Sequence, residues 1–142
     1  MKPSVWFLLA NLVTAACCTA ADTAPEALLR KLGALAGSAS RDCGIVAQGA
    51  DRRAAIACAE DATTSGTAYR LAIQLEGKDS LIWQGAVRGS DGKFHVLFYE
   101  ADPDGGTGAG PTMSVLLCRE ILFAVKGSDA MECQPIPGGS PD

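Results

Sequence analysis

At about Thr67 the spacing of apolar residues changes from helical to strand-like, and this constrains the fold more than any other feature of the chain. Before it, Leu28, Leu32 and Leu35 recur at i, i+4 and i+7, with Leu29 and Ala36 widening the stripe. Arg30, Lys31 and Ala34 fall on the other side, so the stretch between Thr23 and Gly37 predicts an amphipathic helix that must bury one face. Thr23-Ala-Pro-Glu26 has the Thr-x-x-Glu form of a capping box, with Pro25 tolerated in the first turn. Gly37 stands where that helix should end. Residues 38–42 read as a linker. Asp51 can cap a second helix running to Ala62, whose apolar residues Ala55, Ile56, Cys58, Ala59 and Ala62 are mostly small enough to approach a sheet closely.

Beyond Thr67 the period is two. Tyr69, Leu71, Ile73 and Leu75 alternate with Arg70, Ala72, Gln74 and Glu76, and Leu81, Trp83, Gly85 and Val87 alternate with Ile82, Gln84, Ala86 and Arg88. Gly89-Ser-Asp-Gly92 is a hairpin signal, because Asp-Gly suits the positive φ that such turns need. Phe94, Val96 and Phe98 then alternate with His95, Leu97 and Tyr99. Met113, Val115 and Leu117 form another run, and residues 121–125 form a further strand or its continuation. Helices followed by a meander predict an α+β domain, with two N-terminal helices packed on a four- or five-stranded antiparallel sheet. A cystatin-like layout is one arrangement that fits, by analogy of fold alone. Trp83 shares parity with Val87 and belongs to the core. Arg70, Gln84, Arg88, His95 and Tyr99 are expected on the polar face, where a partner would dock, with Tyr99 as its aromatic anchor.

The N-terminus has the layout of a secretory signal peptide over residues 1–21. Lys2 precedes an apolar run from Val5 to Val13, and small residues from Thr14 to Ala21 follow. The run is too short to cross a bilayer. Thr14-Ala-Ala-Cys17 offers a second reading, a lipoprotein anchored through Cys17, although Thr14 stands where that motif usually has leucine. The expected product is one domain over residues 22–133 with a Pro- and Gly-rich tail at 134–142, periplasmic or extracellular, or membrane-anchored if Cys17 is lipidated. The whole chain carries 16 Asp and Glu against 12 Lys and Arg, a net charge of −4, and loses one more positive charge with Lys2. An acidic surface without a basic stripe argues against nucleic acid as a partner.

Four cysteines remain after residue 21: Cys43, Cys58, Cys118 and Cys133. In an oxidising compartment an even set predicts two disulfides. Zinc is disfavoured, because no Cys-x-x-Cys is present and the chain has one histidine. Cys43–Cys58 with Cys118–Cys133 is the favoured pairing, since both loops are short, and a closed loop of about 15 residues is worth roughly 3 kcal/mol in the chain-entropy model. Cys43–Cys133 with Cys58–Cys118 stays open. The run from Cys43 to Cys133, with its Gly77-Lys-Asp-Ser80 turn and Phe98-Tyr-Glu-Ala-Asp-Pro103 ahead of a glycine-rich loop, resembles small exported bacterial proteins of unknown function. That resemblance implies export and a disulfide-bonded α+β domain, and carries no site residues.

Residues 102–112, Asp-Pro-Asp-Gly-Gly-Thr-Gly-Ala-Gly-Pro-Thr, invite a phosphate-loop reading that fails on chemistry. Pro111 occupies the position of the lysine, and a strand follows where a helix should open. Asp102 and Asp104 have the spacing of the first two EF-hand ligands, but Thr107 replaces the invariant glycine and Met113 the bidentate glutamate, which leaves at most a weak calcium site. A long turn accounts for the loop. His95 beside Ser80, Ser90 or Ser114, and the carboxylate pairs Glu60–Asp61 and Asp102–Asp104, are the remaining catalytic candidates, and none lies in a nucleophile or glycosidase motif. The expected function is a non-catalytic binding or inhibitor-type module of the cell envelope, without a cofactor, acting on a protein, peptide or envelope component. A weak calcium-binding structural protein is the alternative, and a hydrolase stands behind both.

Overall fold

The computed structural model describes residues 24–77, 80–101 and 110–137. The leader and Cys17 lie outside the described residues. The elements are α1 (Glu26–Ala36), β1 (Arg41–Val46), α2 (Arg53–Thr64), β2 (Tyr69–Leu75), β3 (Ile82–Arg88), β4 (Phe94–Glu100), β5 (Thr112–Phe123) and β6 (Met131–Pro135). All six strands join one sheet in chain order; β1 runs parallel to β2, and the other neighbours are antiparallel. This corrects the expected four- or five-stranded antiparallel sheet behind two N-terminal helices, and the cystatin-like layout with it. The sheet is mixed and has six strands, and its first strand separates the helices.

The segment read as a linker runs into β1. Its burial repeats at three, not two: Cys43 and Val46 are buried while Ile45 is 48% exposed. Gly44, at φ 99°, sits in a bulge between Asp42 and Ile45 that absorbs one residue of the β2 register. A second bulge, between Cys118 and Glu120, shifts the phase within β5, so Cys118 and Ile121 are both buried. Residues 121–123 therefore continue β5. The last strand, β6, carries Gln134 and Pro135, the first two residues of the segment read as a tail, and pairs them with Glu120 and Cys118.

The helices cover opposite faces. Leu28, Leu32 and Ala36 of α1 bury against Ala72, Trp83, Val87, Leu97 and Tyr99. Each fully buried leucine is worth about 1.5–3 kcal/mol. A Cβ on Gly85 would come within 2.7 Å of Leu32 Cδ2, so the glycine is what lets α1 lie this close to β3. On the other face, Ile56, Ala59 and Ala62 of α2 pack on Val46, Tyr69, Leu71 and Ile73. The capping-box residue Thr23 lies outside the described residues; Pro25 is the N-cap of α1 and makes no side-chain cap. Gly37 ends that helix at φ 84°, donating its N–H to the Gly33 carbonyl at 3.0 Å. The two disulfides are Cys43–Cys58, which ties β1 to α2, and Cys118–Cys133, which ties β5 to β6.

Candidate functional site

Beyond its bulge, β5 pairs with β6, and the end of the turn between them, at Ala130 and Met131, reaches Gln84 on the face that α2 occupies. The turn, residues 124–130, forms a strap that is closed by the Ala124 N–H donating to the Ala130 carbonyl at 2.9 Å, with Gly127 at φ 111°. The base of the strap is held by Gln84 of β3, whose side chain points onto this face and is 1% exposed. Gln84 Oε1 accepts from the N–H groups of Ala130 (2.9 Å) and Met131 (3.2 Å), and Nε2 donates to the Met131 carbonyl at 3.4 Å. The tip is held by Arg52, the residue before α2, which donates from Nε to Val125 O at 2.8 Å and from Nη2 to Gly127 O at 3.0 Å. Arg53, its neighbour, is engaged elsewhere: it pairs with Asp51 at 2.7 Å. Hydrogen bonds from the Arg53 side chain and backbone hold the Asp51 carboxyl at about 2.

Three cavities surround the strap. One of about 530 Å³ lies toward α2 and includes Arg52, Ile73, Leu75, Glu76 and Ser128. A second, about 450 Å³, shares Leu75, Glu76 and Ser128 with the first and adds Ile82, Phe98 and Glu100. The third, about 510 Å³, shares Phe98 and Asp129 with the second and adds Leu116, Phe123, Met131 and Glu132. Neighbouring cavities share lining residues, and together they form a trough bordered by Ser128 and Asp129 of the strap. Its floor is apolar, from Leu75, Ile82, Phe98, Leu116, Phe123 and Met131, and its rim carries the exposed carboxylates of Glu76, Glu100, Asp129 and Glu132.

The five residues expected to share a binding face do not share one. Arg70 lies opposite Val87, Val87 opposite His95, and Trp83 opposite Tyr99, which places Arg70, His95 and Tyr99 on the α1 face. Gln84 and Arg88, opposite Phe98 and Phe94, lie on the α2 face. Tyr99 is 9% exposed and packs in the α1 cluster, so it is no exposed anchor. Arg70 Nη2 pairs with Asp42 at 2.8 Å, and that hydrogen bond draws the Asp42 carboxyl below its ordinary range. Arg88 Nη1 donates to the Gly66 carbonyl at 2.6 Å and its guanidinium lies over the Phe94 ring. His95 has a buried Nδ1 without a partner among the described residues, and burial pushes its imidazole below the usual value, with nearby Lys93 and Lys31 adding to the shift and Asp91 opposing it.

Ser114, opposite Phe98, sits across the sheet from His95, and no hydrogen bond among the described residues joins His95 to a serine. Asp102 and Asp104, the calcium candidates, lie outside the described residues. Among the described residues no group of three or more His, Cys, Asp or Glu could hold a metal ion, and no helix is long and apolar enough to cross a membrane. Arg52 and the strap were not anticipated, yet a signal for the strap exists. Cys118 and Cys133 stand 15 residues apart, and the turn-forming Gly127-Ser-Asp129 lies near their midpoint, which is the layout of a stapled hairpin. Comparison with family models, with curated proteins and with solved structures finds no match to this chain.

Proposed function

We propose that this protein is an exported, non-catalytic binding domain whose ligand site is the trough around the 124–130 strap. The observation that carries the reading is a row of three cavities that share lining residues on the α2 face, the second and third over an apolar floor. A small domain with an apolar-floored trough beside a strap anchored by a buried glutamine presents a concave surface of the kind that ligands occupy. Two disulfides are compatible with an oxidising, exported environment. The signal-peptide layout of residues 1–21 and the resemblance to exported bacterial proteins agree with a periplasmic or extracellular setting. A partner in that setting would be a protein, a peptide or an envelope component.

The test is photo-crosslinking in the native compartment. A crosslinking amino acid at Leu122, which lines the trough and is 46% exposed, should capture a partner. The same group at Ala34, on the outer side of α1, should not. Equal capture from both positions, or capture from Ala34 alone, refutes the trough as the site.

A further inference from the structure

Among the described residues, those lining the second and third cavities include four carboxylates and no lysine or arginine. All four carboxylates are exposed at the rim, whereas Leu75, Ile82, Phe98, Leu116, Phe123 and Met131 on the floor are half-buried or buried. Arg52, which lines the first cavity, has its guanidinium committed to the carbonyls of Val125 and Gly127. Around the second and third cavities the trough is therefore apolar below, with negative charge alone among its described rim residues, in a chain of net charge −4, while Arg52 keeps its positive charge at the first cavity. Negative potential focused on a low-dielectric cleft concentrates cations. A neutral or anionic apolar ligand would cover the floor while stripping water from carboxylates it cannot pair.

Length and shape narrow the chemistry further. Each cavity falls within the range that holds one drug-sized group, about 300–1,000 Å³. Three of them joined through shared residues suit a chain that delivers side chains in succession. A negative rim disfavours anionic lipid and nucleic acid. Resting on the trough as the binding site, we infer that its ligand is a cationic apolar peptide segment, with bulky apolar side chains seated on Phe98, Leu116 and Phe123 and lysine or arginine paired with Glu100, Asp129, Glu76 and Glu132.

The experiment uses three labelled peptides of equal length, alternating Leu–Lys, Leu–Glu and Ser–Lys, titrated into the oxidised protein by fluorescence anisotropy with chemical shifts mapped in parallel. Leu–Lys should bind with shifts at Phe98, Leu116 and Phe123, and more weakly as salt rises. Glu100→Gln and Asp129→Asn, both at exposed positions and expected to leave the melting temperature unchanged, should each weaken it about two- to fivefold. Tighter or equal binding of Leu–Glu at the same residues overturns the charge assignment and leaves the trough standing as a site. Binding of Ser–Lys as tight as that of Leu–Lys reduces the effect to bulk charge and overturns the inference. Failure of all three peptides to shift the trough residues also overturns it, and the crosslinking result at Leu122 then decides separately whether the trough binds anything.

Discussion

Replacing Gln84 with methionine isolates the anchor of the strap, because methionine matches the volume of glutamine and removes only its polar end. Two buried backbone N–H groups, of Ala130 and Met131, lose their acceptor. Each stranded donor costs about 1–3 kcal/mol, so a strap that stays down would lose several kcal/mol. A strap that lifts hydrates both donors but gives up the burial of Met131, now 3% exposed, worth about 1.5–3 kcal/mol. The cheaper route decides, which sets the loss at about 2–3 kcal/mol and makes it local to the hairpin. Arg52→Met removes two hydrogen bonds at the exposed tip, where water replaces them, and should cost less than about 1 kcal/mol. Urea unfolding and native-state hydrogen exchange separate the two variants. At about 1.4 kcal/mol per tenfold, Gln84→Met should speed exchange at Ala130 and Met131 by roughly 30- to 140-fold. If Gln84→Met is as mild as Arg52→Met in both measurements, the buried glutamine does not hold the strap and the reasoning is wrong.

The disulfides should differ in what they protect. Removing either one should cost about 3 kcal/mol, since both span similar loops, but only Cys118→Ala with Cys133→Ala should raise exchange at Ala130 and Met131; the same rise on losing Cys43–Cys58 would contradict the fold. For His95, a folded-state pKa below the ordinary 6.5 means that the unfolded chain takes up the proton first. Stability is then fully present above 6.5 and falls as pH drops from there toward the folded value. An imidazole NMR titration should give a midpoint below 6.5, and a midpoint at or above it would refute the burial argument.

Where the chain alternates cleanly the sequence period was enough: β2, β3 and β4 lie where the apolar runs put them, and Trp83 is buried as its parity demands. It failed where a bulge breaks the period. At β1 the buried pair Cys43 and Val46 stands three residues apart, and a scan for alternation pairs Cys43 with Ile45, which faces water. At β6 only Met131 and Cys133 mark the strand, and Pro135 at its end argues for a tail until pairing with β5 is known. The helices were legible as helices, but nothing in an amphipathic stripe says which face of a sheet it will cover. That choice followed from β1, because a parallel β1–α2–β2 unit carries α2 to one side.

The candidate site was scattered for a related reason. Parity within one strand is a local property, whereas a face belongs to several strands, and the link between them is the register set by each turn. Between β3 and β4 the Gly89 N–H donates to the Lys93 carbonyl at 2.8 Å, and this closure fixes Arg88 opposite Phe94. Gln84 therefore falls opposite Phe98, on the floor of the trough, while His95 falls opposite Val87 beneath α1. Moving β4 by one residue against β3 would bring His95 and Tyr99 onto the face of Gln84 and Arg88, which is the grouping that sequence parity suggested. It would also send Val96 and Phe98 to the α1 face and press Leu97 out of the α1 core, where it is fully buried. Burying an apolar side chain of that size is worth about 1.5–3 kcal/mol, far more than an exposed polar contact returns, so packing on α1 sets the register and disperses the polar residues between the two faces.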